Sequence, residues 1–430
     1  MVSTPSRARS GTAELRSNPD VTDSLITIID LVRTKLATSR PELGRISNFG
    51  RSIVSQRVEE AIELGLLVEG DLGESNGGRA PRVLEFNARA GAIYLAVFGA
   101  KHVGFAVTDL EGAVIASSHH SWDIATGPDK SLTFMKEKIA ELVEGSAAPK
   151  PWAIVVGVPG PVEFLSGKPV APPIMPGWNG YNIRENLEPF YGAPAFVDND
   201  VNLMALGEAK ILERTENMAK LDLIFVKVGS GIGAGILSSG KVHRGANGAA
   251  GDIGHTSVVG DSSAVCRCGQ VGCLEAVAGG WALVRDLERA VEKDPSGELG
   301  RLFAEKGYLI PSDIPLAAKA GDARAVEQVI KSARTVANTV ASLVSFYNPH
   351  IVVVGGSIAE AGDLFLASLR QVVYSRSLPL ATRDLKIVPA LDNHQEGILG
   401  AAQLAIGELF SRTWMRTWLP EGSPRNYTPV

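Results

Sequence analysis

Three cysteines, the only ones among 430 residues, stand together in the segment CRCGQVGCLE at positions 266–275. Thiolates and imidazoles are preferred zinc ligands, and a histidine stands shortly upstream in AGDIGHTSV. Three sulfurs and one nitrogen complete a tetrahedral shell with no open position, which is typical of structural zinc and not of a zinc ion that activates water. The sequence therefore predicts a structural Zn²⁺ site whose ligands are His255, Cys266, Cys268 and Cys273.

Two other interpretations of the cysteines fit the sequence less well. A redox site favours a CxxC pair at a helix N-terminus, which the sequence lacks. Free or packed thiols would be unusual in a polar loop that contains glycine. The N-terminal segment MVSTPSRARSGTAELRSNPD has no apolar signal-peptide core, so we expect a cytoplasmic, reduced protein without a disulfide.

Composition limits the classes of function. The hydrophobic content of 45% and charged content of 21% are ordinary for a globular protein. No apolar stretch of about 18 residues is free of charge, so no membrane span is expected. The net charge of −5 restricts any nucleic-acid site to a local basic patch.

The first zone, residues 21–88, is predicted to be a winged helix-turn-helix that follows a disordered tail at 1–20. Ser39 and Glu42 fit a helix capping box, and Gly65 fits the end of the second helix of the pair. The buried stripe of that helix is predicted to comprise Ile53, Val54, Val58, Ala61 and Ile62. The segment LLVEGDLGESNGGRAPRVLEFN follows as a two-stranded wing.

A basic surface is predicted at the second helix and the wing. Residues 43–58 contain no acidic side chain, and the wing contains a GGR sequence. A solvated helical hairpin would explain the same charges, but the cap, the spacing and the wing together favour binding to double-stranded DNA. The candidate DNA contacts are Arg45, Arg51, Ser52, Ser55, Gln56, Arg57, Arg79 and Arg82.

The remaining chain alternates strands and helices, which predicts an α/β fold. A strand–glycine turn–strand unit occurs once in each half and suggests two related lobes, at about 91–200 and 201–390. A final helix is expected at 396–410, and the tail at 411–430 is expected to be packed or disordered.

Four segments, GANGAAGDIGH, CRCGQVGCLE, GVPGPV and DNDVNLMALGE, together with the winged helix, resemble the ROK family of repressors, open reading frames and sugar kinases. The resemblance covers about 21–405. It implies a two-lobed, actin-like (ribonuclease H-like) ATPase-type domain over about 91–410, with a ligand in the cleft. Members with a helix-turn-helix are typically sugar-sensing repressors, members without one are typically sugar kinases, and many form dimers or tetramers.

The resemblance also implies the sugar ligands. The family's Asn-Asp pair matches Asn199 and Asp200, and in a kinase the aspartate would take the proton from the attacking hydroxyl. The family's Glu-x-Gly-His reads Asp252 to His255 in this chain, so the acidic side chain is one methylene shorter. Glu275 matches a second sugar carboxylate. Ile174 stands where many kinases have asparagine, so the sugar can differ from glucose.

The kinase phosphate motifs are only partly present. The kinases begin their first lobe with Asp-x-Gly-Gly-Thr, whereas this chain has Val97, Ala100 and Lys101 at the Asp, second Gly and Thr positions. Valine cannot orient magnesium or phosphate. The GSGIGAG turn at 229–235 and the Gly355-Gly356 pair are kept, but such glycines also serve tight turns.

The sequence thus predicts a sugar-responsive, DNA-binding repressor of carbohydrate genes that does not use ATP/Mg²⁺. Its partners would be operator DNA, a small sugar or sugar phosphate, and copies of itself as a homodimer or homotetramer. The alternatives are an active sugar kinase that carries a helix-turn-helix and a DNA-binding protein without a ligand.

Overall fold

The helices of the computed structural model follow the predicted alternation with strands. The structure describes residues 18–72, 82–216, 220–258, 263–391 and 395–426. The N-terminal tail up to residue 17 lies outside this part, as do residues 427–430. The α-helices of the described part are α1 (Asn18–Arg33), α2 (Arg40–Ser47), α3 (Arg51–Glu63), α4 (Pro128–Ser146), α5 (Ile183–Tyr191), α6 (Asp200–Glu216), α7 (Leu274–Ala278), α8 (Gly280–Lys293), α9 (Gly297–Lys306), α10 (Asp313–Lys319), α11 (Ala323–Tyr347), α12 (Asp363–Arg376), α13 (Pro379–Thr382), α14 (Glu396–Leu409) and α15 (Arg412–Trp418).

The strands form two five-stranded sheets and two short hairpins. Their bounds are β1 (Leu67–Leu72), β2 (Arg82–Phe86), β3 (Ala92–Phe98), β4 (His102–Thr108), β5 (Val114–Ser121), β6 (Pro151–Val158), β7 (Val162–Glu163), β8 (Lys168–Pro169), β9 (Ala195–Asn199), β10 (Leu223–Val228), β11 (Ile232–Ser238), β12 (Lys241–Val242), β13 (Ile351–Gly355) and β14 (Lys386–Pro389).

Helices α1 to α3 and the hairpin β1–β2 form a winged helix-turn-helix, which we call the head. Asn48 adopts a left-handed conformation with φ 58° and ends α2, and α3 starts three residues later. Ser39 is the N-cap of α2, but its side chain makes no capping hydrogen bond, so this half of the predicted capping box is wrong. Glu42 accepts a hydrogen bond from the backbone N–H of Thr38 at 2.8 Å, one residue before the predicted donor. Gly65 follows α3 with φ 71°, as expected for a glycine after a helix end.

Two predictions for α3 were wrong. Ile53, assigned to the buried stripe, is 43% exposed. Arg57, assigned to the DNA surface, is 7% exposed and pairs with Glu60. The physical reason is the helical phase: residue 57 lies three residues after Val54 and four before Ala61, so it shares their buried face.

The two five-stranded sheets have the same topology. Their orders are β5-β4-β3-β6-β9 and β12-β11-β10-β13-β14, each with an antiparallel three-stranded meander joined to two parallel strands. Every residue of β3 and β6 is buried, as expected for central strands covered on both faces. The predicted α/β class with two related lobes is confirmed.

Helices α6 and α14 pack together at glycine contacts between the two lobes. A Cβ on Gly207 would lie 1.9 Å from the carbonyl oxygen of Glu396, and a Cβ on Gly400 would lie 1.7 Å from that of Leu203. Only glycine permits this approach at either position. Because α6 begins at Asp200 and also packs on β10 and β11, it links both lobes to α14.

Residues 411–426, which we call the strap, join the head to the first lobe. Trp418 is fully buried, with its ring 5.5 Å from Trp152 of β6 and 6.1 Å from Phe410. Phe410 in turn contacts Phe86 of the wing at 5.4 Å. One hydrophobic cluster therefore includes parts of the head, β3, β6, α14 and the strap.

Polar contacts reinforce the strap. Arg416 makes two hydrogen bonds of 2.8 Å to Asp23 of α1.

Within the described part of the chain, no helix is both long and apolar enough to cross a bilayer.

Candidate functional site

A cleft of about 830 Å³ separates the two lobes, a volume within the usual range for small-molecule sites. Its lining comes from the turn before β4, the start of α6, the β10–β11 turn, the loop before the cysteines and the end of β13. The structure brings all five predicted sugar ligands to this cleft, namely Asn199, Asp200, Asp252, His255 and Glu275.

The predicted zinc ligands converge beside the cleft. One ligand atom from each of His255, Cys266, Cys268 and Cys273 lies within 4.8 Å of all the others. Cys266 Sγ is 3.6 Å from His255 Nδ1, and Cys268 Sγ is 3.8 Å from Cys273 Sγ. Zinc–sulfur bonds of about 2.3 Å and zinc–nitrogen bonds of about 2.0 Å in a tetrahedron give edges of roughly 3.5–3.8 Å. The four residues therefore fit a metal ion of zinc's size and ligand preference.

Two of the three thiols in this cluster, those of Cys266 and Cys273, are buried, and burial affects their pKa values. It raises the pKa of Cys266, and together with the neighbouring sulfurs it raises the pKa of Cys273 to about 12. Neutral thiols are poor ligands and poor nucleophiles, so a metal must displace these protons on binding. Cys266 and Cys273 are therefore poorly suited to act as exposed reactive cysteines.

The cysteine loop positions two of the cleft's acidic side chains. Cys273 is the N-cap of α7, and Glu275 lies in the first turn of that helix. The Glu275 carboxylate accepts hydrogen bonds from the backbone N–H of Ile232 at 3.0 Å and from Trp281 Nε1 at 3.2 Å. His255 Nε2 lies 3.8 Å from Asp252 Oδ1, and burial raises the pKa of Asp252. A metal at Nδ1 of His255 would thus fix the ring that faces Asp252.

Asn199 has both ends of its amide engaged by the backbone. Its Oδ1 accepts from the N–H of Val201 at 2.9 Å, and its Nδ2 donates to the carbonyl of Gly160 at 3.0 Å. These bonds fix the amide plane while each end keeps one hydrogen-bonding position for a ligand.

Asp200 makes an ion pair that the sequence analysis missed. Lys227 Nζ lies 2.5 Å from Asp200 Oδ2, and the two side chains are 15% and 3% exposed. A lysine inside the otherwise apolar strand LIFVKV is the signal that could have revealed it.

A second buried ion pair supports the start of α6. Arg244 donates twice to Asp198 Oδ2, at 2.9 and 2.7 Å, and stacks 3.7 Å above the ring of Phe164. Asp198 Oδ1 also accepts from the side chain of Asn202. This network was not foreseen, and it holds the strand end that carries Asn199.

The turn after β3, which corresponds to the first phosphate motif of the kinases, is not arranged to bind phosphate. Val97 is 8% exposed and packs closely against Gly157 and Gly397. A Cβ added to either glycine would lie 3.2 Å from Val97 Cγ1. Lys101 lines the cleft but pairs with Asp123 at 2.5 Å. Ile174 lines the cleft as well. An apolar side chain therefore stands where the sequence comparison places the kinase aspartate.

The head exposes most of the predicted DNA contacts. Arg45, Arg51, Ser52 and Gln56 are exposed around the N-terminal end of α3, and Ser55 is half-buried. Arg82 is exposed on β2 and lies 3.7 Å from Glu69. Arg57 faces the interior, as described above, and Arg79 lies outside the described residues.

The chain is similar to proteins of one family. The ROK family model matches residues 95–408. A xylose repressor of Caldicellulosiruptor bescii is 31% identical over 87% of this chain and 92% of that protein. A glucokinase of Halalkalibacterium halodurans is 30% identical over 68% of this chain and 83% of the kinase.

A solved structure has the same overall fold. It is that of a ROK family transcriptional regulator described as a homologue of the E. coli MLC protein. It superposes with a TM-score of 0.75 over 92% of this chain and 98% of its own, at 24% identity. The expected architecture, a winged helix followed by an actin-like, two-lobed domain, is confirmed.

Proposed function

Because this chain belongs to the ROK family, we propose that it is a sugar-responsive transcriptional repressor whose head binds operator DNA. The observation that carries the proposal is a winged helix-turn-helix packed on one lobe of a cleft lined by polar side chains. A relative that is 31% identical along most of both chains is a xylose repressor, which supports carbohydrate genes as the targets.

The proposed sugar site comprises Asn199, Asp200, Asp252, His255 and Glu275. Carboxylates, an amide and an imidazole can accept from and donate to the hydroxyls of a sugar ring. The sugar changes operator affinity only if it prefers one arrangement of the two lobes. Helices α6 and α14 and the strap form a continuous packed route from Asp200 to the head.

The proposed metal is a structural Zn²⁺ held by His255, Cys266, Cys268 and Cys273. When bound, it supplies rigidity to one wall of the cleft and no reaction chemistry, because the four ligands close its coordination shell. Glu275 and Asp252 owe their positions to the segments that this metal ties together.

We further propose that the protein does not transfer phosphate. Val97 has no oxygen to hold magnesium, and Asp200 is paired with Lys227. The second candidate function, an active sugar kinase, is favoured by the retained Asn199-Asp200 pair and by the glucokinase relative.

Incubation with ATP, Mg²⁺ and a panel of hexoses, pentoses and amino sugars is expected to release ADP at no more than the rate without sugar. Coupled detection of ADP provides the measurement. Sugar-dependent turnover of roughly 1 per second or faster would contradict the proposal.

Replacement of Arg51 by alanine is expected to weaken operator binding. Loss of one arginine contact to a base or phosphate costs about 1–3 kcal/mol, or roughly 5–150-fold in affinity. Fluorescence anisotropy with labelled operator DNA, measured at several salt concentrations, gives the affinity and its salt slope.

The matched control is Arg89→Ala, which removes an exposed arginine after the wing and before β3. It should retain full operator affinity. Equal affinities of wild type and Arg51→Ala at every salt concentration would show that α3 does not enter the groove. A homodimer or homotetramer on a palindromic operator in the cytoplasm is the proposed setting.

A further inference from the structure

Ile53 lies exposed in the first turn of α3, where it is the third residue of the helix. Its exposed fraction is 43%, although isoleucine is a residue type that folding usually buries. The buried face of α3 includes Val54, Val58 and Ala61, and all three belong to the hydrophobic cluster that joins the head to the first lobe. Ile53 is not a member of that cluster. Its apolar side chain therefore faces the surface of the head.

The surface around Ile53 is polar and basic. Gln56 is exposed one turn further along α3 on the same side as Ile53, because residues three apart are neighbours on a helix. Ser52 and Arg51 are exposed at the start of the helix, and Arg45 is exposed in the last turn of α2. The arginines and the positive end of the helix dipole attract phosphate groups. This end of α3 is thus complementary to a nucleic acid backbone.

Acidic side chains limit the complementary surface to the first half of α3. Glu59 and Glu63 are exposed further along the helix, and their charges oppose phosphate groups. Residues 43–58, in contrast, contain no acidic side chain. The part of α3 suited to approach DNA therefore comprises its first two turns, which include Ile53.

The major groove of DNA offers one apolar group to such a side chain. The C5-methyl group of thymine projects into this groove, where the other base edges present hydrogen-bond donors and acceptors. An isoleucine side chain can bury a methyl group, but it cannot hydrogen-bond to the amino group of cytosine or the oxygen of guanine that it would cover. An isoleucine at the base edges therefore favours thymine.

We infer that Ile53 contacts the C5-methyl group of one thymine in each half of the operator and so selects an A·T pair at that position. The inference rests on the proposed function and adds to it a residue that determines base specificity. Ile46 has a similar exposed fraction of 40% but lies on α2, the helix that crosses the DNA backbone in this motif. We therefore assign no base contact to Ile46.

The test removes the methyl group from the DNA. The full-length protein, without sugar, first selects duplexes from a random library, and the selected sequence serves as the operator. Each thymine of one half-site is then replaced singly by uracil, which lacks only the methyl group. We expect one position at which uracil lowers the affinity about fourfold in fluorescence anisotropy, the loss that corresponds to exposing one buried methyl group.

Variants of Ile53 identify the side chain that contacts this methyl group. Ile53→Ala should bind the thymine and uracil duplexes with equal affinity, whereas Ile53→Val should keep part of the difference. Because Ile53 is exposed, both variants should melt at the temperature of the wild type. Ile46→Ala removes the same side chain from α2 and is the matched control, which should retain the full uracil penalty.

The outcomes separate the inference from the proposed function. If the protein selects no duplex sequence, the proposed function itself fails. If uracil is tolerated at every position, or if the selected half-site contains no thymine, the inference is wrong while the proposed function stands. The inference is also wrong if Ile53→Ala keeps the uracil penalty, or if Ile46→Ala loses it as well, because the effect then does not depend on Ile53 at a base.

Discussion

A Cys268→Ser protein is expected to bind no metal at the proposed zinc site, to melt about 10 °C or more below the wild type, and to lose its response to the effector. Metal binding contributes about 10–16 kcal/mol to folding in isolated zinc-finger peptides. Because the metal site is only one part of a larger lobe here, we expect its loss to cost less, several kcal/mol. For a folded unit of this size, each kcal/mol of lost stability lowers the melting temperature by roughly 2–4 °C. A loss of several kcal/mol therefore gives the expected shift. Metal analysis, calorimetry and effector titration on operator DNA provide the measurements.

The physical reason for the coupled losses is geometry. The proposed metal would tie His255 to Cys273, the N-cap of the helix that carries Glu275. Without a metal, the thiols keep only weak hydrogen bonds to one another and to His255, and the loop depends on backbone hydrogen bonds such as that from Cys266 N–H to the carbonyl of Gln270.

Gln270→Ala, at an exposed position of the same loop, is the control and should retain one metal per chain. A Cys268→Ser protein that binds no metal but responds to the effector as the wild type does would refute the link between the metal and the cleft.

A Trp418→Ala protein is expected to lose about 3–5 kcal/mol of stability in the joint between head and first lobe. The indole is fully buried, contacts Trp152 and Phe410, and donates to the carbonyl of Leu409 at 2.8 Å. Its removal leaves a cavity in the cluster that unites the two parts. We therefore expect early unfolding of the head and weaker operator binding, measured by hydrogen exchange on α1 to α3 and by anisotropy.

Arg416→Ala provides a graded comparison. It removes the exposed pair with Asp23 and creates no cavity, so it should destabilise the head much less than Trp418→Ala does. Exchange in α1 to α3 that is as slow in Trp418→Ala as in the wild type would show that the head is stable without the strap.

Local patterns allowed much of the fold to be predicted. The repeated strand–glycine turn–strand unit indicated two related lobes, and both sheets have the same strand order. The cysteine spacing and His255 led to the four-residue cluster, because three of its ligands lie within eight positions of one another. These features depend on neighbours in sequence, and their physical signals are therefore local.

Other features depend on contacts between distant segments. The partner of Lys227 is Asp200, 27 residues away, and the two meet only because α6 packs on β10. Arg57 has the charge of a DNA contact, yet the phase of α3 turns it inward beside Val54. The apolar residues Val54, Val58 and Ala61 set this phase, and it places Arg57 on their face whatever its charge.

The strap determines when, during synthesis, the protein becomes able to bind its operator. Asp23 and Arg416 are 393 residues apart, so at about 5–20 residues per second the ribosome makes Arg416 roughly 20–80 s after Asp23. During that interval Phe86 of the wing and the inner face of α1 lack the aromatic residues that cover them in the finished chain. Chains released before residue 411 should therefore be taken up by chaperones and proteases, and should not compete with complete chains for the operator.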